Sequence, residues 1–227
     1  MAYLKREKYS VISMAQYMQS KKDESIVNDT VVLTFDDGHI SNYLIAFPIL
    51  VEFGFTASFY VVSEWIGTDS FMTARQIAEM HEAGMEIGSH TASHRYLSDL
   101  PENDMLLELN ESKQALERIC DGAIFGLAYP GGHFNEKTIK VSKECGYEYA
   151  MSCQVGYNNF YKDQFRLNRI ELRKNTSESD FAKALTYNSI RFFQAVEFSK
   201  KVIRRSIGLD TYSKLRRRLY FFYPFKR

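Results

Sequence analysis

The chain has 227 residues and only five histidines, His39, His81, His90, His94 and His133. Three of these, together with the adjacent carboxylates Asp36 and Asp37, follow directly on stretches that read as strands. Asp36-Asp37-Gly38 closes Val31–Phe35, and His90 and His94 follow Met85–Gly88. His133 follows Ala123–Ala128 through Tyr129-Pro130-Gly131-Gly132. Two neutral imidazoles and one carboxylate make a three-ligand set for a divalent ion, with a position left for water. A bound divalent ion lowers the pKa of its water from about 15.7 towards about 7. One aspartate is then enough as a ligand, and the other is free to take a proton from that water. Without a cation, two buried neighbouring carboxylates repel and one of them protonates. Taken alone, Asp36-Asp37-Gly38 also fits a plain strand-to-helix turn, where Asp and Gly serve local hydrogen bonding and positive φ. His39 reads as exposed or as a neighbour of the ligands, and His81 as a surface residue of a helix.

The elements that must position these groups alternate. Val31–Phe35 is a β-branched strand. Ser41–Phe53 carries a helical apolar pattern (Leu44, Ile45, Phe47, Ile49, Leu50, Phe53) closed by Gly54, with Pro48 kinking it or starting a fresh turn. Thr56–Val62 is a strand. Thr73 caps a helix that ends at Gly84. Met85–Gly88 is a short strand, Asn103–Cys120 a long amphipathic helix, and Ala123–Ala128 a strand. Glu136–Cys145 is a helix, and Tyr147–Ser152 and Leu167–Leu172 are strands. Glu178–Leu185 begins a further helix. Strand–helix alternation with near-continuously apolar strands predicts βα units around a parallel sheet buried on both faces. An open doubly wound sheet and a closed barrel both fit the pattern, and both place function at the carboxyl ends of the strands. No G-x-G-x-x-G follows a strand and no P-loop occurs, which argues against a dinucleotide or nucleoside-triphosphate site.

Three segments in order carry a resemblance: Thr34-Phe35-Asp36-Asp37-Gly38, then Glu86-Ile87-Gly88-Ser89-His90-Thr91-Ala92-Ser93-His94, then Ala128-Tyr129-Pro130-Gly131-Gly132. They resemble the motifs of the polysaccharide deacetylase family, the NodB-type carbohydrate esterases, over roughly Val31 to Cys153. The resemblance implies an α/β fold, an irregular barrel of about seven parallel strands with outer helices. It implies Asp36 as general base and Asp37, His90 and His94 as ligands of a divalent metal, zinc first among the candidates. The implied reaction is hydrolysis of an N-acetyl group on an amino sugar, with the Gly131 backbone N–H helping to hold the oxyanion.

Two positions depart from the family pattern. An arginine that holds the base aspartate in many members is replaced here by Ala128, which leaves Arg169 as the candidate partner of Asp36. A late histidine that protonates the leaving amine has no counterpart after His133, which leaves His133 as the candidate acid, beside water. A stretch from Tyr3 to Ser13 resembles one that follows an earlier strand in exopolysaccharide-type members, and that strand is missing.

Lys and Arg total 29 and Asp and Glu 28, for a net charge of +1. That total argues against a nucleic-acid partner. It hides an asymmetry: residues 200–227 hold ten basic side chains and one acid, a net of +9, and the other residues hold 19 basic and 27 acidic, a net of −8. The expected organisation is therefore a catalytic domain over 1–199 and a basic tail over 200–227. In the tail Tyr212, Leu215, Leu219 and Phe222 recur at helical spacing among basic residues, which suits either packing on the body or peripheral contact with an anionic membrane. Cys120, Cys145 and Cys153 have no metal-type spacing and read as small buried apolar residues in a reducing compartment. No h-region follows the N-terminus and no apolar run approaches a membrane span. The expectation is a cytoplasmic protein, at the inner face of the membrane if the tail binds there, acting on an N-acetylated glycan or lipid-linked sugar. Two rivals share the motifs: a glycan-binding or regulatory module without turnover, and a hydrolase of another carbon–nitrogen amide.

Overall fold

The computed structural model describes residues 1–25, 29–173 and 175–186. The described residues divide into two compact units, 1–152 with 159–167, and 153–158 with those from 168 onward.

The first unit is an α/β fold built on a five-stranded parallel sheet. Its strands are β3 (Thr34–Phe35), β4 (Ser58–Val61), β5 (Glu86–Ser89), β6 (Gly126–Ala128) and β7 (Tyr149–Met151), side by side in chain order. Right-handed crossovers between strands that never reverse order put every connecting helix on the same face. The sheet curls into a half-barrel, with helices outside and the other face turned inward. Side chains alternate accordingly. Phe59, Val61, Ile87, Leu127 and Ala150 join the outer core with α4 (Ala74–Glu82), α5 (Glu102–Cys120) and α6 (Glu136–Glu144). Tyr60, Ala128, Tyr149 and Met151 face inward, where Met14, Tyr17 and Met18 of α2 (Met14–Lys22) meet them.

The inner face is filled by two tyrosines, and two glycines make room for them. A Cβ on Gly88 would lie 2.5 Å from the Tyr60 ring, and one on Gly126 would lie 2.3 Å from the Tyr149 hydroxyl. Tyr149 donates to Glu86, which also accepts from Ser58 Oγ at 2.6 Å and from the Ala15 N–H at 3.0 Å. Burial drives the Tyr149 hydroxyl well above its ordinary pKa, so it remains a donor.

Several expectations need correction. Val31–Phe35 is not one strand: Thr30–Val32 (β2) pairs with β1 (Ser10–Ile12) in a separate two-stranded parallel sheet, and only Thr34–Phe35 enters the main one. The seven strands are therefore divided between sheets of two and five among the described residues, not closed into one barrel. Leu167–Leu172 is not a strand either; Leu167 alone forms a parallel bridge, with Met151. Ser41–Phe53 is two pieces, a π-helix at Asn42–Ala46 and α3 at Phe47–Phe53, with Pro48 in the first turn of α3. The Phe47 N–H reaches back to the Asn42 carbonyl, and the wider turn takes up the proline, which has no N–H to give. The widening also rotates the apolar face, so Leu50 is buried while Leu44, Ile45 and Ile49 are exposed.

Within the second unit, Asn158 and Asn168 hold two segments together, Nδ2 of Asn158 donating to the Asn168 carbonyl and the Asn168 N–H returning to Oδ1. There α7 (Glu178–Ala184) is capped by Ser177, whose hydroxyl accepts the Asp180 N–H. The basic tail, 200–227, lies outside the described residues.

Candidate metal centre

Asp37 ends the loop after β3 with φ of 73°, and Gly38 follows at φ 79°. A Cβ on Gly38 would lie 2.9 Å from Val61, so glycine is needed there for space as well as conformation. After β5 the chain turns through Thr91 at φ 68° and His94 at φ 65°. Non-glycine residues in this region are strained, and such strain persists only where surrounding contacts over-determine it. The contacts are present: Ser89 Oγ accepts the Thr91 N–H at 3.1 Å, and Thr91 Oγ1 accepts the His94 N–H at 3.1 Å. From the other side, the Ser63 and Glu64 N–H groups donate to the carbonyls of Thr91 and Ala92.

These two turns bring one oxygen and two nitrogens together. Asp37 Oδ1 lies 3.5 Å from His90 Nε2 and 3.6 Å from His94 Nε2. All three ligand atoms lie within 4.8 Å of one another. Those separations are longer than hydrogen bonds. They are close to the edge of a tetrahedron with 2.0–2.1 Å metal–ligand bonds, about 3.3 Å. His90 Nδ1 donates to the Ala128 carbonyl at 2.7 Å, which leaves the Nε2 lone pair directed at the cluster. Burial holds the His90 imidazole below its ordinary pKa, against the pull of Asp36 and the Ala128 carbonyl, and so favours the neutral ring that a metal needs. The donor set fits a divalent ion. Asp36 sits at its edge, Oδ2 4.0 Å from His90 Nε2. Exposure falls from 49% at the Asp37 side chain to 3% at His90, so the cluster opens to solvent on the aspartate side.

The remaining expected residues are placed as follows. Gly131 has φ of 60°, and a Cβ there would lie 2.9 Å from the Tyr96 ring and 3.0 Å from His133. Glycine is therefore dictated by backbone and by space in the loop that leaves Ala128. His133 is exposed, its ring 4.8 Å from that of Tyr96. Arg169 belongs to the second unit, where its Nη2 lies 3.6 Å from Cys153 Sγ. His39 is exposed and bonded to Ser41, and His81 is on the surface, as expected. Cys120 and Cys145 are buried, but Cys153 is exposed, contrary to its reading as a core residue.

Sequence reading missed the groups that surround the ligands. Trp65 lies 5.2 Å from the His94 ring and 4.7 Å from Phe71, and Phe71 meets His39. Ser112 on α5 is 2.8 Å from Ser89 Oγ, and Glu108 on the same helix bonds Ser93. A signal existed for this pair: both interrupt the apolar stripe Met105–Leu109–Leu116.

A curled parallel sheet with an Asp-His-His set able to hold a divalent ion at the carboxyl ends of its strands defines an α/β class with a candidate metal site. A family model for polysaccharide deacetylase matches residues 24–150, and the chain belongs to that family. It is 29% identical over 160 residues to YxkH of Bacillus subtilis (strain 168), provisionally named a polysaccharide deacetylase, covering 70% of this chain and 57% of that protein. It is 24% identical over 191 residues to the poly-beta-1,6-N-acetyl-D-glucosamine N-deacetylase of Staphylococcus epidermidis, covering 78% of this chain and 66% of that one. The chain thus spans under two thirds of the length of these curated relatives. Among solved structures, the Streptococcus pyogenes deacetylase PplD, in complex with acetate, matches with a TM-score of 0.76 at 25% identity, covering 81% of this chain and 82% of that one. BC0361, a polysaccharide deacetylase from Bacillus cereus, matches with a TM-score of 0.74 at 25% identity, covering 82% and 59%.

Proposed function

We propose that the protein is a divalent-metal-dependent hydrolase that removes N-acetyl groups from an amino-sugar glycan or glycan precursor. The observation that carries this reading is the convergence of Asp37, His90 and His94 with a second carboxylate, Asp36, at the edge of the cluster. A pure binding module has no use for that extra base. When bound, a divalent ion supplies Lewis acidity to the amide carbonyl and lowers the pKa of a water. Zinc suits two imidazoles and a carboxylate.

The rest is the work of the chain's own residues. Asp36 accepts a proton from the attacking water. The Gly131 N–H donates to the developing oxyanion. His133 returns a proton to the leaving amine. Trp65, its ring 5.2 Å from that of His94, gives an aromatic face beside the candidate ligands for a sugar to stack on. The N-deacetylase activity in the name of the staphylococcal relative supports an N-acetylglucosamine polymer as the substrate class. We also propose a cytoplasmic site of action, with residues 200–227 serving either to pack on the body or to contact an anionic membrane peripherally.

Acetate release from a panel of N-acetylated amino sugars, measured with chelator and with zinc restored, tests the reading. Release that chelator stops and zinc restores is expected. A chain that holds stoichiometric metal and releases no acetate from any member of the panel would overturn it.

A further inference from the structure

Glu108 is a carboxylate on the apolar stripe of the longest described helix, and only 6% of it is exposed. Nothing in the chemistry of deacetylation calls for a buried acid there. Its partners explain its position. Oε2 accepts the Ser93 N–H at 2.9 Å, and Oε1 accepts the Ser93 hydroxyl. The Glu108 backbone carbonyl accepts the Ala92 N–H at 3.1 Å, and Arg95 Nη1 lies 4.0 Å from Oε1. One residue of α5 therefore grips Ala92 and Ser93 and adjoins Arg95, the residues on either side of His94. The gripped segment runs between two non-glycine positive-φ residues, Thr91 and His94. One turn further along α5, Ser112 bonds Ser89 Oγ, which in turn accepts the Thr91 N–H.

We propose that Glu108 is a positioning residue for the metal centre: through Ser93 it holds the strained turn that aims His94 at Asp37 and His90. The inference rests on reading the triad as a metal site. A carboxylate is suited to the place because it accepts two donors at once. A glutamine side chain offers one acceptor oxygen, and an alanine side chain offers none, so Ser93 would lose its hold and the turn that aims His94 would be loosened. Outer groups that orient ligands typically change metal affinity by about 10–100-fold when removed.

The test measures zinc affinity by competition with a chromogenic chelator, alongside thermal unfolding of the metal-free proteins. The variants are Glu108→Ala, Glu108→Gln, Ser93→Ala and, as control, Glu111→Ala on the exposed side of α5. The expected result is a roughly 10–100-fold weaker affinity for folded Glu108→Ala, a smaller loss for Glu108→Gln and Ser93→Ala, and none for Glu111→Ala. If Glu108→Ala does not fold, Glu108→Gln and Ser93→Ala decide by the same measure. Wild-type affinity in folded Glu108 and Ser93 variants, whatever their melting temperature, overturns the proposal. A wild-type chain that takes up no zinc overturns the metal reading itself, and is a separate outcome from intact binding in the variants.

Discussion

Two of the three candidate ligand residues, Asp37 and His94, hold φ near +70°, in the left-handed region that favours glycine. The ligand types were readable from Asp36-Asp37-Gly38 and His90-x-x-x-His94, because donor chemistry is a property of single residues. Their strain was not, since it depends on what over-determines each turn: Thr91, Ser89 and the carbonyls that receive Ser63 and Glu64. Cysteine shows the same limit. Burial pushes the thiols of Cys120 and Cys145 up to about 11, from 9.0. In the unfolded chain they ionise first, so the folded form keeps its advantage below pH 9 and loses it as pH rises from 9 to about 11. At pH 8 the native protein is expected to react with a thiol reagent at Cys153 alone, and at all three cysteines once unfolded. Equal reactivity of the three in native protein would contradict the burial described.

At the scale of elements, the helices after β4 and β5 and the parallel α/β class were legible, because capping and apolar period are local, while the order of the strands and their division between two sheets were not. Thr73 and Gln76 form the capping box that begins α4. Ser13 and Gln16 form an equivalent box at α2, an S-x-x-Q signal that sequence reading passed over. What no period reveals is the filling of the curled sheet. Tyr60 and Tyr149 fit only because Gly88 and Gly126 leave space, and each pair is distant in sequence. Gly126→Ala would force the Tyr149 hydroxyl off Glu86 and overpack the inner face. A loss of about 1–3 kcal/mol in unfolding free energy is expected from chemical denaturation. A neutral result would mean that the inner face is looser than these contacts imply. The break between β2 and β3 at Leu33, with the π-turn at Asn42–Ala46, was equally hidden. Both are tertiary outcomes: one segment supplies two strands to two sheets, and one helical segment absorbs a proline.

For the whole molecule, charge is divided between an acidic body and a +9 tail over residues 200–227. No helix among the described residues is long and apolar enough to cross a membrane. If the tail binds an anionic surface at about 1 kcal/mol per basic residue near it, vesicles with anionic lipid should retain the full chain and lose it on deletion of 210–227. Undiminished binding of the truncated chain would remove the tail from that role. Catalysis is assigned to the body, and its central claim is that Asp37 holds the metal while Asp36 moves the proton. The most direct measurement compares acetate release by wild type and Asp36→Asn, each with its bound zinc quantified. One zinc per chain in both, with turnover at least about 100-fold lower in Asp36→Asn, is the predicted result. Equal turnover at equal zinc content would contradict it.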